Sequence, residues 1–111
     1  MVSASGTAAQ TNASPAAGRS GPPGTVLITG ASSGVGLFTA KALADRGWHV
    51  VMACRDTDKA HRAQAALAIP DQVVTHLQVD LGDLESVQRL VDSFHASGRS
   101  LDALVINAAV Y

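Results

Sequence analysis

A chain of 111 residues with 47% hydrophobic and 15% charged residues has the make-up of one globular α/β domain or part of one. A net charge of −1, with Arg19 the only charge among the first 24 residues, leaves no polybasic face for nucleic acid or a membrane surface. The one cysteine, Cys54, excludes an internal disulfide or a cysteine-based metal cluster and fits a reducing compartment. No apolar run approaches the roughly 18 to 20 residues that span a bilayer.

Residues 1–24 are drawn almost wholly from Ala, Ser, Thr, Gly and Pro and hold no acidic residue. Such a segment buries too little apolar surface to offset the entropy of ordering it, so disorder is expected. Its hydroxylated, acid-poor composition resembles the end of an organelle transit peptide, and no apolar stretch follows Met1 as a secretory signal requires. A plain flexible tail has the same composition.

From Thr25 short apolar runs alternate with amphipathic segments, the signature of βαβ units and a parallel sheet. Strands are predicted at 25–29, 48–54, 72–80 and 101–107. The runs Val50-Val51-Met52-Ala53 and Ala103-Leu104-Val105-Ile106 are apolar at successive positions, as strands covered on both faces require. Helices are predicted at 35–46, closed by Gly47, at 56–68, capped by Asp56 and stopped before Pro70, and from about 84 to Gly98. In the third helix Leu84, Val87, Leu90, Val91 and Phe94 are expected on one face. Right-handed crossovers then give a strand order 3-2-1-4, the first half of a Rossmann-type doubly wound parallel sheet. Strand four is interior in such a fold and calls for a fifth strand, so the chain reads as an N-terminal part truncated after strand four.

The chemistry concentrates where strand one meets Thr29-Gly30-Ala31-Ser32-Ser33-Gly34-Val35-Gly36. Glycines at 30, 34 and 36 permit a tight turn and close approach of a ligand, while the N–H groups at the start of the following helix point at an anion. Gly30, Ser32, Ser33, Gly34, Val35 and Gly36 are therefore candidate phosphate-cradle residues. Gly30-Ala31-Ser32-Ser33-Gly34 also matches G-x-S-x-G, the nucleophile elbow of hydrolases. That reading needs earlier strands and a partnered histidine, and His49, His61, His76 and His95 have no acid in the required order.

Strand two ends at Cys54, the position where an acid would select a free ribose 2′-hydroxyl. Arg55 follows, nineteen residues after Gly36, and Lys59 lies one helical turn on, so the pair can hold a 2′-phosphate and favours NADPH over NADH. Neutralisation by Asp56 and Asp58 is the alternative. Asp80, with Leu81 beside it, can accept a hydrogen bond from an adenine amino group or simply form the turn before Gly82. Asn107 can join neighbouring strands or line the nicotinamide region, and Ala108 and Ala109 are small enough for a ribose to pass close to the backbone.

Together, Thr29 to Gly36, Asp80-Leu81 and Asn107-Ala108-Ala109 resemble the short-chain dehydrogenase/reductase family over residues 25–111. A narrower likeness is carried by Gly47-Trp48-His49-Val50-Val51-Met52-Ala53-Cys54-Arg55-Asp56, Lys59, and Asn107-Ala108-Ala109-Val110-Tyr111. These resemble the light-dependent protochlorophyllide oxidoreductases, with Ile106 where that family usually has cysteine. The resemblance implies light-driven reduction of the C17=C18 bond of protochlorophyllide with hydride from NADPH, in chlorophyll biosynthesis. It also implies a plastid location if the leader is a transit remnant, or otherwise the cytoplasm of a cyanobacterium-like host.

The family's Tyr-x-x-x-Lys pair has no counterpart here, since the one tyrosine is Tyr111, so no catalytic residue is assigned and the 111-residue chain is expected to be inactive and unstable alone. Retinol-dehydrogenase-like and WW-domain oxidoreductases share the Ala-Cys-Arg and Asn-Ala-Ala elements, and a non-catalytic NADPH-binding sensor could be built on the same fold. Association into oligomers or with a membrane surface leaves no mark in the sequence.

Overall fold

The computed structural model describes residues 24–107, so residues 1–23 of the leader and Ala108 to Tyr111 lie outside the described residues. Four parallel strands, β1 (Thr25–Thr29), β2 (His49–Cys54), β3 (Val74–Gln78) and β4 (Ala103–Val105), form one sheet in the order β3-β2-β1-β4. Three helices connect them: α1 (Gly34–Asp45), α2 (Thr57–Ala66) and α3 (Leu84–Ala96). Register pairs Leu27 with Val51 and with Leu104, and Met52 with His76. The expected alternation, doubly wound layering and strand order are all present.

The unbroken apolar runs follow from burial on both faces. Val26, Ile28, Val50, Met52, Cys54, Ala103 and Val105 pack with Ala40, Leu37 and Leu43 of α1 and Ala60 of α2. Leu27, Val51, Ala53 and Leu104, at the alternate positions, pack with Val87, Leu90 and Phe94 of α3. Ile28, Met52, Val26 and Val50 are fully buried, each worth about 1.5–3 kcal/mol of transfer free energy.

Element ends differ from the predicted ones where long-range bonds decide them. Trp48 is not in β2 because its N–H donates to Leu43 O at the end of α1. Before β3, Asp71–Val73 form a 3₁₀ turn, which the Gln64 side chain holds by donating to Ile69 O and to Asp71 Oδ1. Helix α2 stops at Ala66, ahead of Pro70, as Ala68 takes φ 55° and Ile69 N returns to Gln64 O. Strand β4 is three residues long because Asn107 N donates to the Thr29 hydroxyl instead of to a strand carbonyl. In α3, Val87, Leu90 and Phe94 turn inward, whereas Leu84 is 86% and Val91 40% exposed, so the five-residue stripe is narrower than expected.

Candidate functional site

All the chemistry-bearing loops leave the carboxyl ends of the parallel strands, the edge at which open α/β sheets bind ligands. They enclose a crevice of about 660 Å³ lined by Gly30, Ser32, Cys54, Arg55, Lys59, Asp80, Leu81 and Asn107, together with Thr29, Asp56 and Gly82. The structure thus gathers seven predicted site residues, Gly30, Ser32, Arg55, Lys59, Asp80, Leu81 and Asn107, at the carboxyl ends of the four strands. Ser33, Gly34 and Val35 stand beside the crevice, at the exposed start of α1. Gly36 is buried, and a Cβ there would lie 2.4 Å from Gly30 O, so this glycine serves close packing of the helix against the loop.

Gly30 turns the chain out of β1 with φ 63° while its N–H still donates to Ala53 O at 3.0 Å. The loop ends at Ser33, whose extended backbone begins α1 but whose side chain caps nothing, and α1 has no acidic residue in its first turn. The other two helices satisfy their own starts: Asp56 accepts from Lys59 N and Asp83 from Glu85 N, with Asp58 and Glu85 in the first turns. The positive end of α1 therefore remains available to an anion. Gly34 has φ 57° and open space where a side chain would stand.

At the rim of β2 the thiol of Cys54 is buried, and burial pushes its titration above the ordinary cysteine range. The Ala31 N–H, the Ser32 hydroxyl and N–H, and the Lys59 charge oppose that rise without cancelling it. The rim consequently presents a neutral group where an acid would repel phosphate. Arg55 and Lys59 are exposed beside it. Among the described residues the only salt bridge joins Lys41 to Asp45 at 3.0 Å, so Asp56 and Asp58 do not pair with the two cations. Asp56 is instead occupied in capping α2.

Asp80 both forms the turn and faces the crevice: its Oδ1 accepts from Gly82 N at 2.9 Å and its carbonyl from Asp83 N. Asn107 does likewise, lining the crevice while its Nδ2 donates to Gly30 O at 3.2 Å. No histidine lines the crevice, which leaves Ser32 without the base a hydrolase elbow requires. Two contacts were not foreseen. The Thr29 hydroxyl anchors Asn107 N, and buried Ser86 accepts from Asp80 N. The one signal for Ser86 in the sequence is its place four residues before Leu90, a polar residue on a helix face that otherwise reads as core.

The model of the short chain dehydrogenase family matches residues 24–111. A protochlorophyllide reductase, chloroplastic, of Cucumis sativus is 58% identical over 89 residues, covering 79% of this chain and 22% of that protein. The chain thus spans about a fifth of the length of that curated relative. Among solved structures, the menthone neomenthol reductase of Mentha piperita superposes with a TM-score of 0.71 at 34% identity, covering 78% of this chain and 31% of that one. The Pseudomonas aeruginosa RhlG/NADP active-site complex gives 0.71 at 28% identity, covering 80% of this chain and 36% of that one. With the strand order, the glycine turn and the family match in agreement, a nicotinamide cofactor is implied, and the chain belongs to the short chain dehydrogenase family.

Proposed function

We propose that this chain supplies the adenosine- and pyrophosphate-recognising part of an NADPH-dependent oxidoreductase that reduces protochlorophyllide. Residues 25–111 would form the N-terminal part of its NADP-binding Rossmann domain. One observation carries the cofactor choice: β2 ends in a neutral, buried Cys54 flanked by Arg55 and Lys59, neither of them committed to an acid. The NADP held by the Pseudomonas aeruginosa neighbour and the names of the plant relatives support the same reading.

The residues present fit such a cofactor, since the uncapped start of α1 and the open space at Gly34 leave a cradle that a side chain would otherwise fill. Ser32, Ser33, Gly34 and Val35 would hold the pyrophosphate through N–H and hydroxyl groups, with Gly30 turning the chain so that they face it. Arg55, joined by Lys59, would hold the 2′-phosphate. Asp80 and Leu81 would border the adenine, Asn107 the nicotinamide region, and Ala108 and Ala109 a ribose. When bound, NADPH supplies a hydride; this chain's own contribution is to bind and orient it. The family's proton-donating Tyr-x-x-x-Lys pair has no match within residues 1–111. The chloroplastic relatives favour a plastid location, with residues 1–24 as a transit remnant.

The test is to follow protochlorophyllide absorbance in the full-length protein with NADPH, in light and in darkness. Loss that requires both light and NADPH is expected. Tight NADPH binding with no pigment loss would point to a sensor, and dark turnover of a retinoid would point to a retinol-dehydrogenase-like enzyme; either would overturn the proposal.

A further inference from the structure

We propose that Ser86, which lines no part of the crevice, positions Asp80 for adenine recognition and thereby sets how strongly the site prefers an amino-bearing purine. The inference rests on the reading of Asp80 as the adenine acceptor and goes beyond it by naming what aims that carboxylate.

Along β3 the backbone amides pair with β2 as far as Val79, whose N–H donates to Cys54 O at 2.9 Å. The next amide, Asp80 N, leaves the sheet and donates to Ser86 Oγ at 2.8 Å. Ser86 is only 2% exposed and stands on the inward face of α3, four residues before Leu90, where an apolar side chain would contribute more to the core. A hydroxyl there supplies an acceptor for an amide that has just left the hydrogen-bond ladder of the sheet.

Ser86 thereby fixes the point at which the chain turns off the sheet. Asp83 N donates to Asp80 O at 3.0 Å, and Gly82 N donates to Asp80 Oδ1 at 2.9 Å. With N–H, carbonyl and Oδ1 all engaged, Oδ2 is the acceptor left without a partner among the described residues, on a side chain that borders the crevice. A carboxylate held in this way accepts from the exocyclic amino group of adenine. It would repel the oxygen that takes the place of that group in hypoxanthine.

The experiment titrates the intact protein with NADPH and with its reduced hypoxanthine analogue, reading cofactor fluorescence. Wild type is expected to prefer NADPH by roughly tenfold or more, the worth of a hydrogen bond to a charged group. Ser86→Ala should cut that preference to about twofold or less while affinity for the hypoxanthine analogue stays nearly unchanged. Ser86→Cys, which keeps a weaker acceptor, should give an intermediate preference and serves as the comparison should the alanine variant not fold. Equal weakening of both cofactors, or an unaltered preference in either variant, would show Ser86 to be structural only and overturn the proposal. Absence of any preference in wild type would instead overturn the adenine reading of Asp80, as would a preference that survives Asp80→Ala.

Discussion

Asn107 and Gly30, far apart in sequence, are locked together at the mouth of the crevice: the Asn107 amide donates to Gly30 O at 3.2 Å, and a Cβ on Gly30 would lie 2.4 Å from Asn107 O. The neighbouring bond from Asn107 N to the Thr29 hydroxyl, 3.0 Å long, ties the end of β4 to the end of β1. The phosphate-cradle loop is thus shaped by a residue 77 positions downstream of it.

Removing that brace should loosen the loop. Asn107→Ala is expected to cost about 0.5–1.5 kcal/mol of stability, the usual net worth of one hydrogen bond, since the Gly30 carbonyl stays open to water. Asn107→Asp should cost more, because a carboxylate would then face Gly30 O. Thermal unfolding with and without cofactor measures both. An aspartate variant as stable as wild type would show that the amide donor does not matter.

Two glycines of the turn, Gly34 and Gly36, should respond differently to a methyl group. Gly34→Ala meets open space and pays only for a left-handed backbone, about 1–2 kcal/mol. Gly36→Ala would press its Cβ against Gly30 O, a backbone atom that cannot rotate away, so a loss at or above the roughly 3 kcal/mol of severe overpacking is expected. Chemical denaturation of the two variants decides the order, and equal losses would contradict the packing role of Gly36.

These contacts also explain which features could be read in advance. Strand β1 was legible to the residue, as was the helix start at Asp56, because local alternation and side-chain capping decide them. Gly47 and Gly98, with φ 93° and 75°, likewise follow the helices they were expected to close. The ends of β3 and β4 were not legible. They depend on Gln64 holding the Asp71 turn and on Thr29 receiving Asn107 N, partners that local sequence cannot pair. The crevice residues were legible as a set since parallel strands bring their carboxyl ends together, whereas Ser86 was hidden inside a helix face that reads as core.

Stability should fall under mildly acidic conditions through His76. Burial first, and then the nearby His61 ring stacked 3.8 Å away, lower its titration below the ordinary value near 6.5, against a smaller opposing pull from Asp71. The folded state thus binds fewer protons than the unfolded state as pH drops below about 6.5. This stabilising contribution is present above that pH and is lost as pH falls through the folded-state value. Nδ1 of His76 is buried with no partner among the described residues, while Nε2 is held 2.7 Å from Gln64 Oε1, so a second ring proton would find no acceptor among them. Melting temperature recorded from pH 7.5 to 5 should drop less steeply in His76→Gln than in wild type. Some slope should remain, since burial and Arg99 lower His49 in the same direction. Parallel curves for the two proteins would exclude His76 as a source.

The central claim is that the rim of β2 selects the 2′-phosphate, and the most direct measurement is the ratio of NADPH to NADH affinity in wild type and Arg55→Ala. A charged hydrogen bond to phosphate is worth about 1.5–3 kcal/mol, so the account predicts that the ratio falls roughly ten- to a hundredfold, through weaker NADPH binding with NADH binding little changed. A ratio unaltered by Arg55→Ala would contradict it.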